Sequence, residues 1–220
     1  MDDFGRLITA MVTPFNDSGN VDYTQAKKLA VSLLNSGSDG VVISGTTGEA
    51  PTLSNNEKIR LFSEVKEAVG NSGKVIAGTG SNNTSESLQV TEFAHDLGIN
   101  NILLIDPYYN GPSSLEIRRE YLEIIAKKFP SVTVIPYIIP GRTGTKLLPQ
   151  DLAISYSNCP NINTVKEATG DFENAKLTRR LCGDSFSILS GDDDKTVSLI
   201  QDSDIKDRQP NPTTTLTVVC

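Results

Sequence analysis

The chain has 220 residues, 37% of them hydrophobic, and a formal net charge of −7. That length suits one domain, or one and a fraction, with a sizeable core. The acidic balance and the lack of a Lys/Arg cluster argue against nucleic-acid binding, no apolar run approaches the ~20 residues of a membrane span, and the acidic opening Met1-Asp2-Asp3-Phe4-Gly5-Arg6 is unlike a secretory leader, so a cytoplasmic protein is expected.

Leu7 to Val12 is an apolar run that stops at Thr13-Pro14 and reads as a buried first strand. Asp22 caps a helix running to about Asn35, with Ala26, Leu29, Ala30, Leu33 and Leu34 on one face and Gly37 closing it. Asp39 to Ile43 is the second strand. It leads into Gly45-Thr46-Thr47-Gly48-Glu49, and Ser54 with Glu57 then forms a capping-box pattern for a helix to about Val69. Lys74 to Gly78 is the third strand, and Thr84 or Ser85 is expected to cap the next helix, which ends at Gly98. Asn101 to Ile105 is the fourth strand, followed by Asp106-Pro107-Tyr108-Tyr109-Asn110 and by a helix from Ser113 or Ser114 to about Phe129.

Thr133 to Tyr137 is the fifth strand, Pro140-Gly141-Arg142-Thr143-Gly144 reads as a loop, and Pro149 opens a short helix. Asn161 to Lys166 is the sixth strand, with Gly170 permitting a sharp turn before a helix that starts at Asp171 or Asn174. Phe186 to Ser190 is the seventh strand. It runs into Gly191-Asp192-Asp193-Asp194 and a helix from Lys195 to about Ile200.

Seven strand–helix units at regular spacing predict a parallel sheet in the α/β class. No GxGxxG turn follows the first strand, so a (β/α)₈ TIM barrel is preferred over a doubly wound open sheet. The barrel domain is assigned to residues 1–206. Residues 207–220 are rich in proline and polar residues and form an atypical tail, in which Thr215 to Val219 is β-prone and serves at most as an aberrant eighth strand. A barrel without its eighth helix leaves apolar surface uncovered on the first and last strands. The three cysteines, Cys159, Cys182 and Cys220, are widely spaced with no CxxC and read as ordinary thiols; the single histidine, His95, reads as a helix-surface residue.

A lysine at the carboxyl end of a barrel strand, as Lys166 is here, points into the mouth where such folds do their chemistry. Desolvation there lowers its pKa and makes the amine a nucleophile for a carbonyl; a solvated strand-end lysine is the plain alternative. Other strand ends carry polar groups. The Gly45–Glu49 segment offers two hydroxyls and free amides suited to a carboxylate, or is simply a turn. Tyr108, Tyr109 and Tyr137 supply phenols for proton transfer or for packing. Arg142 between glycines suits a bidentate carboxylate, or is a surface arginine. Asp192-Asp193-Asp194 has hard-metal donors without partner carboxylates at suitable spacing, so helix capping is preferred and no metal is expected.

Taken together and in order, Gly45-Thr46-Thr47-Gly48-Glu49, Pro107-Tyr108-Tyr109-Asn110, Tyr137 with the Gly-Arg-Thr-Gly segment, Lys166-Glu167-Ala168-Thr169-Gly170 and Ser190-Gly191-Asp192-Asp193 resemble the signature of the dihydrodipicolinate synthase family, among the pyruvate-dependent class I aldolases. The resemblance covers residues 4 to about 200. It implies condensation of pyruvate with L-aspartate 4-semialdehyde to 4-hydroxy-tetrahydrodipicolinate, the first committed step of lysine and diaminopimelate synthesis. Lys166 would form the Schiff base, with no cofactor and no metal. Thr46 and Thr47 would hold the pyruvate carboxylate, Gly191 would line the substrate site, and Thr47, Tyr137 and Tyr109 would relay protons. Arg142 would bind the second substrate's carboxylate. Tyr109 would reach a neighbouring subunit's site, so a homotetramer built as a dimer of dimers is implied. A related aldolase or lyase acting on a 2-keto-3-deoxy sugar acid is the alternative within the superfamily.

Three departures stand out. Ile138 occupies a position where the family usually has Asn, removing a polar group near the site. Asn82, Glu86 and Tyr108 match a lysine effector site of some members, but Asn55 and Lys58 do not, and Lys58 would repel a cationic effector. The family's eighth strand and helical C-terminal region have no counterpart after about Lys206. The expectation from that end is a truncated barrel that closes poorly, an inactive fragment being the alternative to an enzyme.

Overall fold

The computed structural model describes residues 4–202. Seven strands, β1 (Ile8–Ala10), β2 (Gly40–Ile43), β3 (Lys74–Gly78), β4 (Asn101–Ile105), β5 (Thr133–Ile138), β6 (Thr164–Glu167) and β7 (Ser187–Ser190), pair in chain order into one sheet. Every ladder is parallel. Each crossover carries helix, as parallel pairing requires: α1 (Tyr23–Asn35), α2 (Asn55–Val69), α3 (Thr84–Asp96), α4 (Ser114–Ile117) and α5 (Glu123–Lys128), α6 (Pro140–Thr143) and α7 (Pro149–Asn158), then α8 (Phe172–Cys182); α9 (Asp193–Asp202) follows β7. The expected tail with its β-prone run, and Cys220, lie outside the described residues.

The strands are apolar on both faces because both faces are covered. Alternation still sorts their side chains. Ile8, Ala10, Val42, Ile76, Leu103, Ile135, Tyr137 and Leu189 form the cluster enclosed by the curled sheet. Val41, Ile43, Val75 and Ala77 pack outward under the first helices. Ile102, Leu104, Val134, Ile138, Val165 and Ile188 do the same under the later ones. Burying a Val, Leu or Ile side chain stabilises by roughly 1.5–3 kcal/mol, so these layers set the register that aligns the strand ends.

Local signals place most helix starts. Asp22 caps α1, Ser54 and Glu57 form a reciprocal capping box on α2, Asp171 caps α8, and Pro149 opens α7. Three features differ from expectation. The α3 cap is Asn83, whose side-chain oxygen accepts from the amides of Ser85 and Glu86, one residue ahead of the expected Thr84 or Ser85. The helix after β4 is interrupted by a π-helical turn at Arg118–Leu122. The Arg142 segment is a single helical turn rather than a loop, opened by Pro140 and ended by Gly144 at φ 70°. His95 is only half-buried, its ring edge-on to Phe129 at 6.0 Å. Cys159 and Cys182 are buried free thiols, and no helix among the described residues is long and apolar enough to cross a membrane.

Candidate active site

The carboxyl ends of the strands gather the polar segments onto one rim. Lys166 on β6 is in register with Tyr137 on β5 and with Leu189 on β7. Its side chain therefore turns inward with the enclosed cluster, and it is 3% exposed. Its Nζ lies 4.3 Å from the centroid of the Tyr137 ring, within cation–π range. Burial lowers the Lys166 pKa to about 8, against a smaller opposing pull from Asp193. The desolvation expected of a barrel-mouth lysine is thus present, and a neutral amine is accessible near physiological pH.

Tyr137 is 5% exposed. Burial raises its phenol, while the Arg142 charge acts in the opposite direction. Thr46 and Thr47, the latter expected in the relay, both line the cavity beside this phenol.

The Gly45–Glu49 segment is shaped by strain next to β2. Ser44 adopts φ 52°, uncommon for a non-glycine residue, and its carbonyl presses on Gly78. A Cβ on Gly78 would lie 2.0 Å from that oxygen, so only glycine fits there. The turn closes through Gly48 and Ala50 amides onto the Gly45 carbonyl, and the Thr13 hydroxyl donates to the Gly48 carbonyl at 2.6 Å. The amides of Thr46 and Thr47 take no part in this bonding among the described residues, which leaves two donors side by side at the rim.

A cavity of about 580 Å³ opens above these groups, lined by Thr46, Thr47, Tyr137, Arg142, Ala168 and Gly191 with Asp192 to Asp194 on one wall. Lys166 lies beneath its floor, and Gly191 admits it: a Cβ there would stand 2.7 Å from Lys166 Cε. Arg142 is exposed in this mouth and forms no salt bridge among the described residues. Groups of His, Cys, Asp and Glu suited to a metal are absent among the described residues.

A second cavity of about 350 Å³ shares Thr46, Tyr137 and Arg142 and extends to Lys58, Glu86 and Tyr108. Lys58 is 7% exposed, with Nζ 3.9 Å from a Glu86 carboxylate oxygen, and burial holds its pKa below the usual value. Asn82 is outside this lining, its carbonyl accepting from Asn110 Nδ2. Tyr109 lines neither cavity; it is 92% exposed and adopts φ 70°. Asp106, a polar residue that sequence reasoning passed over as part of a loop, is 2% exposed behind Tyr137.

A parallel β/α sheet presenting a desolvated amine beside a phenol, under a rim of amides and an arginine, is of the kind suited to imine chemistry on a carboxylated ketone. Comparison with known proteins makes the class particular. A family model described as the Dihydrodipicolinate synthetase family matches residues 3–202, and the chain belongs to that family. The 4-hydroxy-tetrahydrodipicolinate synthases of Desulforamulus reducens and Synechococcus elongatus are 46% and 48% identical over 198 and 197 residues, in each case 90% of this chain. The chain spans 66% and 65% of the length of these two curated relatives. A solved dihydrodipicolinate synthase from Cyanidioschyzon merolae with lysine bound superposes with a TM-score of 0.87 at 41% identity, over 90% of this chain and 67% of that one.

Proposed function

We propose that the chain carries the catalytic centre of a 4-hydroxy-tetrahydrodipicolinate synthase, a lyase that condenses pyruvate with L-aspartate 4-semialdehyde through a Schiff base on Lys166. The observation that carries this is the in-register pair Lys166 and Tyr137, with the amine held near pKa 8 and 4.3 Å over the phenol ring.

The pyruvate carboxylate sits on the amides and hydroxyls of Thr46 and Thr47, which are free to accept it. Neutral Lys166 attacks C2 of pyruvate. Tyr137 moves protons between amine and oxygen as water leaves, and the Thr47 hydroxyl, which lines the same cavity, extends that relay. Loss of a methyl proton turns the imine into an enamine, whose carbon attacks the aldehyde. Arg142 holds the carboxylate of the semialdehyde, a bidentate fit for its guanidinium. The amino group of the bound product then displaces Lys166 from C2, closing the ring and freeing the amine. No cofactor enters these steps. Gly191 keeps the lysine's stem unobstructed. Tyr109 joins the relay from a neighbouring subunit of a homotetramer, a role suited to its near-complete exposure. The cavity ending at Lys58, Glu86 and Tyr108 is ill-suited to a cationic effector, because the buried Lys58 ammonium already occupies it.

The test supplies both substrates to the purified chain and follows each by NMR. One-for-one consumption is expected, with Arg142→Ala raising the semialdehyde concentration needed for half-maximal rate by roughly 10–100-fold, the scale of losing a charged hydrogen-bonded pair. Consumption of neither substrate, or cleavage of a 2-keto-3-deoxy sugar acid in their place, would overturn the proposal.

A further inference from the structure

Arg142 sits on a segment that leaves the sheet after β5 and must return in a fixed place if its guanidinium is to meet a substrate carboxylate. The return is made at Asp106. Its Oδ2 accepts from the Leu147 amide at 2.9 Å, and its own amide donates to the Tyr137 carbonyl at 3.1 Å. A second tie runs alongside: the Thr145 hydroxyl donates to the Pro107 carbonyl at 3.0 Å. The start of the segment is held independently, because Ile138 accepts from the Ala168 amide and Ile139 from the Arg142 amide.

The position of Asp106 follows from register. Ile105 pairs with Tyr137, and Ile138 pairs with Glu167. Alternation then sets Asp106 and Glu167 on the outer face, one step beyond the inward row of Tyr137 and Lys166. Two carboxyls thus flank the apolar Ile138 behind the reacting pair. Glu167 is fully used, accepting from the Thr169 amide and from Asn174 Nδ2. Asp106 has the Leu147 amide. Burial pushes its carboxyl up to about 7, the Leu147 bond acting downward and the Glu167 charge upward. A group this costly to bury, spent on one loop amide, marks a contact with a purpose beyond packing.

We propose that Asp106 is a positioning residue for the second substrate: by clamping the Leu147 amide it fixes the return of the Arg142 turn, and so the place of the guanidinium that receives the semialdehyde carboxylate. This rests on the role given to Arg142 above. Lys166 and the pyruvate-binding amides lie on other segments, so the clamp acts chiefly on the second substrate and reaches imine formation only through the Arg142 charge on the Tyr137 phenol.

The full chain is compared with Asp106→Asn, which keeps an oxygen acceptor, and Asp106→Ala, which does not; Asp106→Val, which fills the space without an acceptor, stands in if the alanine variant fails to fold. Amide hydrogen exchange over residues 139–148 needs no substrate. It is expected to be about fivefold faster without the acceptor, the effect of one lost hydrogen bond, and near wild type in Asp106→Asn. Kinetically, the acceptor-less variant is expected to need about tenfold more semialdehyde for half-maximal rate, while borohydride-trapped pyruvate adduct forms within about twofold of wild type. Asp106→Asn restores the semialdehyde requirement. Unchanged exchange without the acceptor overturns the clamp whatever the kinetics. Adduct formation falling as far as semialdehyde use also overturns it, because that is the mark of a general structural role. A wild type that exchanges as expected but forms no adduct would refute the proposed function and leave the clamp standing.

Discussion

Lys166→Met is expected to make the protein more stable at neutral pH while abolishing its chemistry. The folded protein lowers the lysine pKa from 10.5 to about 8. That difference corresponds to about 3 kcal/mol of stability forgone when the amine is charged. The sign follows from proton binding. Between about 8 and 10.5 the unfolded chain holds the proton and the folded chain has released it, so wild-type stability rises with pH across that window and the full penalty stands below it. Methionine fills similar space with no charge to desolvate. It forfeits the cation over the Tyr137 ring, about 1 kcal/mol, leaving a net gain of about 2 kcal/mol at pH 7. Urea unfolding of both proteins at pH 7 and pH 10.5 isolates the lysine, since every other titrating group is common to the two. The expected gain at pH 7 disappears at pH 10.5. A variant no more stable than wild type at pH 7, or a difference that ignores pH, would refute the claim that this amine is desolvated.

The rate of borohydride-trapped adduct formation should rise with pH to a plateau with a midpoint near 8, and Asp193→Asn should move the midpoint down, because Asp193 holds the charged form; a midpoint unmoved near the ordinary lysine value would contradict this. Gly191→Ala places a methyl 2.7 Å from Lys166 Cε. Displacing the amine by that contact should slow adduct formation by about 100-fold while urea unfolding changes little, and an unimpaired rate would show that the lysine has room to move. Arg118 on the π-helical turn is 8% exposed, with Nε 2.8 Å from Asp151 Oδ1 and a terminal nitrogen 3.2 Å from Glu123 Oε1. Arg118→Ala leaves Glu123 with Lys127 and Asn158 and Asp151 with the Ser114 hydroxyl, but removes the cation that joins the two carboxylates, and should cost about 2 kcal/mol in chemical denaturation; a loss below about 1 kcal/mol, the scale of a surface ion pair, would count against a structural network.

The fold was legible because its signals are local and repeated. Each apolar strand run is bounded by a turn residue, and Asp22, Ser54 and Asp171 announce their helices by capping chemistry that needs no tertiary context. Cap choice failed at Asn83, where three adjacent polar residues compete and only backbone geometry decides which one faces the free amides. The π-helical turn has no sequence signature here. The Arg142 turn was hidden because proline and glycine signal loops as readily as one-turn helices.

At the site, strand-end position only raised Lys166 as a candidate beside a plain solvated lysine, and the run of motifs singled it out together with Tyr137, Arg142, Thr46, Thr47 and Gly191. The shape of the turn that carries Thr46 and Thr47 was not readable, since it starts from a Ser44 φ of 52° and nothing in its sequence reports that. Asp106 was passed over for a related reason: an Asp before Pro in a polar stretch looks solvated, and its burial comes from helices and loops distant in sequence. Alternation from Tyr137 would have placed it behind the reacting pair once the register of β4 and β5 was known.

The most direct measurement incubates the purified chain with pyruvate, reduces with borohydride, and takes an intact mass followed by peptide mapping. One pyruvate-derived adduct on Lys166, absent from Lys166→Ala, is the predicted result. No adduct on a folded chain, or an equal adduct in Lys166→Ala, would contradict the account of Lys166 as the nucleophile.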